Sequence, residues 1–422
     1  MPSILANITI PLVGIVDVAI IGHISNAAAV GGIAVGTMLF DLLYWNFAFL
    51  RVGTGGLTAQ AYGRGDVPEQ ARLLGQGLRI SLGAALFIWL IQWFFVTLVL
   101  WLTPCSAEVA DFARQYFFVR VWAAPATLAL MALKGWFIGM QNTVAPMLTD
   151  IVVNVVNMAA SYLLAVYTPL GAIGVAWGTL IAQYSGLLTA GIVLLWKYRK
   201  HLRLIGSVRR GQTTPGFFRL NTNLFLRSLA FMIIYVGYTV MMSAYGDTEL
   251  AVSAIVMKLF MFFSYFIDGF AYAAEALVGK AGVAEGSAWQ KTPGVERYVR
   301  ALTVWSLALG LLFTLVYGLL DEQMIALMTS DADIQLAAKP YYVYLWLMPV
   351  LSAFAFMFDG VFVGATMAVP IRNCMFASAA AFLLTYIAAA PQIGAAATYL
   401  AYTMHLVVRT VYLSIVYLKL ET

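Results

Sequence analysis

The chain has 422 residues, of which 62% are hydrophobic and 10% are charged. Soluble domains carry roughly 25% charged residues, so this composition excludes a water-soluble globule and indicates that lipid covers much of the surface. The net charge of +5 is interpreted as an excess of Lys and Arg on the cytoplasmic side of a membrane, and nucleic acid is not an expected partner.

The apolar runs predict helices rather than a barrel, because they are about 20 residues or longer and show no period-2 alternation. About twelve spans are predicted, and the second and eighth are so long that they must be tilted, be bent or extend beyond the bilayer. They are 4–24, 29–60, 75–102, 114–139, 144–167, 170–196, 222–245, 249–278, 299–320, 339–364, 371–390 and 394–418.

The first apolar stretch begins almost at Met1 and is long enough to span, so no cleavable signal peptide is expected. Almost nothing precedes Ile4, which makes the amino terminus short for a first span. The two cysteines and three scattered histidines predict no disulfide framework and no metal site.

Charged turns orient the spans. The segment 197–221 is rich in Lys and Arg and contains no acid, whereas Glu108, Asp111 and the stretch 321–333 fall on the opposite side when spans alternate. The basic side is predicted to be cytoplasmic, with both termini there, in a bacterial plasma (inner) membrane. The predicted domains are an amino-terminal six-helix lobe (1–196), a basic cytoplasmic linker (197–221) and a carboxy-terminal six-helix lobe (222–422).

The two halves repeat a pattern. Trp-x-x-Pro, Gly-x-Phe-x-Gly and a further Pro occur in this order from Trp122 to Pro146 and again from Trp346 to Pro370. Six spans per copy give both copies the same orientation, so we predict two bundles related by an axis along the membrane normal. Secondary transporters of this design bind substrate near the midplane between the bundles.

Asp17 is the strongest candidate for ion coupling. It lies beyond the midplane of the first span, and no basic residue flanks it there. A buried carboxylate without a fixed cation has a raised pKa and can exchange a proton near neutral pH. Pro11 removes one helix hydrogen bond and provides a bending point. The alternative is a structural Asp17 paired with another helix.

The fifth span carries a polar stripe at steps of four, three and four, formed by Asp150, Asn154, Asn157 and Ser161. A smaller patch, Thr179 and Gln183, lies in the sixth span. These residues are candidates for a substrate chamber, and the alternative is hydrogen bonding that only joins helices.

The eighth span presents a face of alternating aromatic and acidic residues, Tyr265, Asp268, Tyr272 and Glu275. Aromatic rings with carboxylates suit a lipophilic cation. The alternative is that Lys258 or an arginine pairs with these acids and only holds the bundle together.

Lys134 and Asp359 each precede one copy of Gly-x-Phe-x-Gly. Since they are repeat equivalents of opposite charge, we predict an inter-lobe gate in which they bridge the halves. The alternative is pairing within each half.

P-loop, Gly-x-Ser-x-Gly and His-Glu-x-x-His motifs are absent, so no enzyme activity, no cofactor and no metal is predicted, and transport must draw on an ion gradient.

Several segments together resemble the multidrug and toxic compound extrusion (MATE) family, within the MOP-type fold, and most of all its DinF branch. They are Asn7-Ile-Thr-Ile-Pro11 through Asp17, Gly56-Leu-Thr-Ala-Gln60-Ala, Asp268-Gly-Phe-Ala-Tyr-Ala-Ala-Glu275, and Asp359-Gly-Val-Phe-Val-Gly-Ala-Thr366. The resemblance runs from Ile4 to about Leu418. It implies twelve helices in two lobes and ion-coupled export, with Asp17 as the protonation site and Asn154, Asn157 and Thr179 in the amino-lobe chamber.

One departure concerns coupling. Relatives often have an acid four residues after the second Asn, where this chain has Ser161. The sodium-linked NorM branch uses carboxylates in helices seven and ten, and here only helix ten has one, Asp359. The resemblance therefore favours a proton gradient over a sodium gradient.

The sequence thus predicts a secondary multidrug exporter that antiports lipophilic or cationic small molecules against protons, in contact with membrane lipid and with no required protein partner. A flippase of lipid-linked precursors and a sodium-coupled antiporter are the alternatives. Two functions from other classes fit less well. This chain lacks the paired Asp-rich motifs that a prenyl-lipid transferase requires, and the occurrence of Asp17 in one half only favours alternating access over a channel.

Overall fold

The computed structural model describes residues 27–103, 105–207, 216–283, 288–329 and 331–420. Pro11 and Asp17 lie outside these ranges. Every regular element in the described ranges is a helix, and eleven stretches are long and apolar enough to cross a membrane. The prediction of an all-α integral membrane protein is therefore confirmed. The chain forms two compact units, Met1–Phe217 and Phe218–Thr422.

The described helices of the amino half run from α1 to α8. They are α1 (Ala27–Trp45), α2 (Phe49–Gly63), α3 (Val67–Leu102), α4 (Ala107–Arg120), α5 (Ala124–Gly139), α6 (Val144–Tyr167), α7 (Ile173–Lys197) and α8 (Arg199–Ser207). A 3-10 turn, Val121–Ala123, joins α4 to α5, so these two helices form one span.

The described helices of the carboxy half run from α9 to α16. They are α9 (Phe217–Ser243), α10 (Asp247–Ala281), α11 (Pro293–Leu319), α12 (Asp321–Met328), α13 (Ala332–Ala338), α14 (Tyr342–Gly364), α15 (Ala368–Ile393) and α16 (Ala396–Leu418). A second 3-10 turn, Lys339–Tyr341, joins α13 to α14.

Three spans begin several residues before the predicted bounds. Their first residues follow polar caps: Asp66 accepts from the Glu69 N–H at 2.9 Å, Ser106 from the Val109 N–H at 3.3 Å, and Thr292 from the Val295 N–H at 3.2 Å. A side-chain oxygen at this position satisfies an amide that has no partner inside the helix. Hydropathy marks only the part of a helix that lies in lipid, and the caps determine where the helix begins.

The second span is broken, whereas its counterpart α10 is continuous. Between α1 and α2 the Asn46 side-chain amide donates to the Leu42 carbonyl at 2.7 Å. The backbone then tightens, because the Phe47 N–H donates to the Tyr44 carbonyl three residues back. A side chain that takes a helix carbonyl in this way bends the helix.

Helix crossings explain the repeated glycines. At Gly139 in α5 a Cβ atom would lie 2.6 Å from the Gly55 carbonyl oxygen, and at Gly364 in α14 it would lie 2.6 Å from the Glu275 carbonyl oxygen. One turn earlier, a Cβ at Gly135 or Gly360 would overlap a backbone carbonyl of the facing helix. The motif therefore lets two backbones touch in each half, as small residues do in membrane bundles.

The short helix α8 is fastened to α3. His201 Nε2 lies 2.9 Å from Gln70 Oε1, and Gln70 Nε2 donates to the Ala61 carbonyl at 3.2 Å. Because Gln70 presents its oxygen, neutral His201 is the donor. Burial lowers the pKa of His201, so the folded protein favours the neutral ring, and stability is lost as the pH falls below the ordinary histidine range and the buried ring becomes charged.

Candidate functional site

Three predicted chamber residues meet where α6 packs against α7. The Asn157 side-chain amide donates to Thr179 Oγ1 at 3.0 Å, and Thr179 Oγ1 donates to the Val175 carbonyl at 3.1 Å. Ser161, one turn further along α6, is fully buried. The two helices approach closely here because Gly178 faces Ser161, and a Cβ at Gly178 would lie 2.7 Å from the Ser161 Cα.

Two oxygen atoms of this cluster are unsatisfied. Asn157 Oδ1 and Ser161 Oγ are buried and have no hydrogen-bond partner among the described residues. A buried acceptor without a donor costs about 1–3 kcal/mol. The cluster therefore favours the binding of a hydrogen-bond donor, such as water, a protonated group or an ammonium group.

The remaining amino-half candidates separate into two groups. Asn154 is buried and Gln183 is half-buried on the same pair of helices. Asp150, at the start of the stripe, instead accepts a hydrogen bond from Lys134 of α5. The stripe thus divides into an ion pair at one end and an uncharged amide and hydroxyl cluster towards the middle.

The four predicted residues of the second-lobe polar face all lie on α10. Tyr265, Asp268 and Tyr272 are half-buried, and Glu275 is 1% exposed. Lys258 is exposed on the same helix. An acidic and aromatic surface thus runs along one continuous helix.

Asp359 lies between two arginines. Its Oδ2 accepts from Arg227 Nη2 at 2.5 Å and from Arg409 Nη2 at 2.7 Å. Asp359 is 8% exposed and Arg409 only 3%. Both Lys134 and Asp359 therefore have ion-pair partners within their own halves, and the inter-lobe gate stays a prediction.

Arg227 was not among the residues predicted from the sequence to form a site. The sequence nevertheless contained an indication of its importance, because α9 is apolar around Arg227 and an arginine inside a span requires a partner. Arg120, another intramembrane arginine, donates to the Tyr116 hydroxyl at 2.8 Å and lies over the Phe40 ring at 4.7 Å. Spacing along the chain does not reveal either set of partners.

Comparison with known proteins decides the family. The MatE family profile matches residues 2–163 and 224–389. The chain belongs to the MatE family. It is 36% identical to DNA damage-inducible protein F of Escherichia coli K12 over 97% of this chain and 88% of that protein, which confirms the DinF-like branch.

Other MatE relatives are more distant. Multidrug and toxin extrusion protein 1 of Homo sapiens is 23% identical over 79% of this chain and 58% of the human protein. A solved outward-facing structure of a multidrug resistance MATE family transporter superposes with a TM-score of 0.83 at 17% identity, covering 97% of this chain and 91% of that one. These matches confirm the MATE fold, and the chain is a multi-span membrane transporter of this family.

Charge reversal distinguishes the two pairings of Lys134. Lys134→Asp should destabilise the protein by about 2 kcal/mol, because it places two carboxylates together, and adding Asp150→Lys should restore thermal stability and transport. The matched double variant combines Lys134→Asp with Asp359→Lys. It should not recover, since its new lysine faces Arg227 and Arg409. Rescue by the second combination alone would contradict pairing within the half.

Proposed function

We propose that this MATE-family protein is a secondary exporter in the bacterial inner membrane. It exchanges lipophilic or cationic organic compounds for inward-moving protons by alternating access, and both termini are cytoplasmic. Support for the substrate class comes from the multidrug relatives named above and from the acidic and aromatic residues of α10. Support for the orientation comes from the basic segment 197–221.

The observation that favours protons over sodium is the pairing of Asp359. Sodium requires carboxylate and carbonyl oxygens, but Arg227 and Arg409 already bind this carboxylate at 2.5 and 2.7 Å. Helix seven, α9, contributes an arginine at this place rather than an acid. In the described part of the carboxy half, a sodium ion bound in the NorM manner would therefore have to displace arginines from Asp359, which disfavours it.

In the proposed cycle Asp17 takes up a proton from the external side. Its neutralisation weakens the hold on a bound cation, the first helix bends at Pro11, and substrate leaves outward. The proton then leaves to the cytoplasm and new substrate binds. The uncharged acceptors of Asn157 and Ser161 receive the donor groups of the substrate or of water. The membrane potential adds about 2.3 kcal/mol per net charge per 100 mV.

Purified protein in proteoliposomes tests this assignment. A cationic fluorescent dye should move when a pH gradient is imposed, and an uncoupler should abolish the movement. A sodium gradient at constant pH should give the rate of protein-free liposomes. Dye movement driven by sodium alone would overturn proton coupling, and no movement with either gradient would overturn the export of cations.

A further inference from the structure

The carboxy half contains more guanidinium groups than the ion pair requires. Asp359 is shared by Arg227 and Arg409, and Arg372 donates to Asn223 Oδ1 at 2.7 Å. Asn223 lies one turn before Arg227 on α9. Two guanidinium groups thus share one carboxylate, and a third arginine, Arg372, is bonded one turn away along α9.

The Arg409 guanidinium is also incompletely bonded. Arg409 is 3% exposed and its Nε has no hydrogen-bond partner in the described ranges. Its guanidinium lies 5.2 Å from the centre of the half-buried Phe356 ring. The Arg227 side chain is 23% exposed, so this member of the cluster is accessible from outside the packed lobe. Excess buried positive charge is costly unless an anion compensates it.

An aromatic strip continues from Arg227 along α9. Phe231 and Tyr235 follow at steps of four, both half-buried, with ring centroids 6.4 Å apart and planes inclined by 27°. Arg227 itself lies about 15 Å along the helix from Phe217, deep within the span. One surface therefore offers a cation at one end and two stacked rings beyond it.

We infer that this strip, defined by Arg227, Phe231 and Tyr235, binds amphipathic organic acids. The carboxylate or sulfonate pairs with Arg227, and Arg409 adds attraction from behind Asp359. The apolar body lies on the two rings. A guanidinium pairs well with a planar carboxylate because it can donate two parallel hydrogen bonds. The exporter proposed above thereby accepts acids in its carboxy half in addition to cations. This last statement rests on the proposed function, whereas the binding of acids to the strip does not.

Equilibrium binding in nanodiscs tests the strip without requiring transport. The probes are dansylaminoundecanoic acid, its uncharged methyl ester and a cationic rhodamine dye, with empty nanodiscs as the blank. The native protein should bind the acid at least about tenfold more tightly than the ester, and added salt should weaken binding of the acid but not of the uncharged ester. Equal affinities for acid and ester would overturn the inference.

Variants then identify which charged residue binds the acid. Arg227→Gln leaves Asp359 paired one-to-one with Arg409. It should remove the preference for the acid and leave the ester and the rhodamine unchanged, while Arg227→Lys retains the preference. Asp359→Asn should increase affinity for the acid, because it frees both guanidiniums. The matched control is Arg300→Gln, an exposed arginine on α11, which should bind as the native protein does.

A purely structural role predicts a different pattern. Arg227→Gln and Asp359→Asn would then weaken all three probes together. If Arg227→Gln does not yield folded protein, the salt dependence of the native protein and Asp359→Asn decide the question. Loss of dye transport in proteoliposomes with acid binding intact would remove the proposed function and leave this inference standing.

Discussion

Asp17→Asn should reduce proton-driven dye efflux to the background of protein-free liposomes. An amide of the same shape cannot take up and release a proton, so the step that couples substrate release to the gradient is lost. Equilibrium binding of the cationic dye should weaken but remain measurable, because the amide mimics the neutralised Asp17 while the chamber of Asn157 and Thr179 is unchanged. Efflux in proteoliposomes with an imposed pH gradient, compared with binding in nanodiscs, measures the two properties separately.

Two further variants control this experiment. Asp17→Glu keeps a titratable group and should retain partial efflux with an altered pH profile. Asp111→Asn makes the same chemical change at an exposed position of α4, where the carboxylate accepts from Gln115 at 3.0 Å, and it should leave efflux at the native rate. If Asp17→Asn transports as fast as Asp111→Asn under the same gradient, Asp17 is not the coupling site.

The second large effect concerns the helix crossings. Gly135→Ala and Gly360→Ala should each destabilise the protein by about 3 kcal/mol, because the added methyl group overlaps the Arg51 or Ala271 carbonyl oxygen. A backbone carbonyl cannot turn aside as a side chain can, so two whole helices must separate. Thermal unfolding in detergent and the yield of monodisperse protein should both fall, by similar amounts in the two halves.

The matched substitutions have the opposite expected sign. Gly83 in α3 and Gly191 in α7 also lie inside helices, but nothing lies within 4 Å of a Cβ built there. Alanine at these positions should stabilise the protein by up to about 1 kcal/mol through helix propensity. Equal melting temperatures for the Gly135 and Gly83 variants would show that the crossing is looser than described.

The sequence predicted the membrane class and the duplication well. Apolar runs of spanning length are a local property, and they required no knowledge of packing. The repeated Gly-x-Phe-x-Gly was also recognisable from spacing alone. The family followed from motifs that the comparisons then matched over nearly the whole chain. A bend in the long second span was one of the expected alternatives, but its position at Asn46 was not predicted, because it depends on which carbonyl one side chain takes.

The candidate site was only partly predictable. Periodicity placed Asn157 and Ser161 on one face of α6, but the contact with Thr179 depends on how closely Gly178 lets α7 approach. Only the tertiary structure assigned Arg227 and Arg409 to Asp359, across 132 and 50 residues of chain.

The physical reason for this division lies in the range of the interactions. Burial in lipid and helix formation act within one segment, so the sequence by itself determined that this chain is a duplicated helical membrane protein with charges inside it. Ion pairs inside the bundle form between whichever helices pack together. The tertiary structure therefore decided that Asp359 pairs with two arginines of its own half, Arg227 and Arg409.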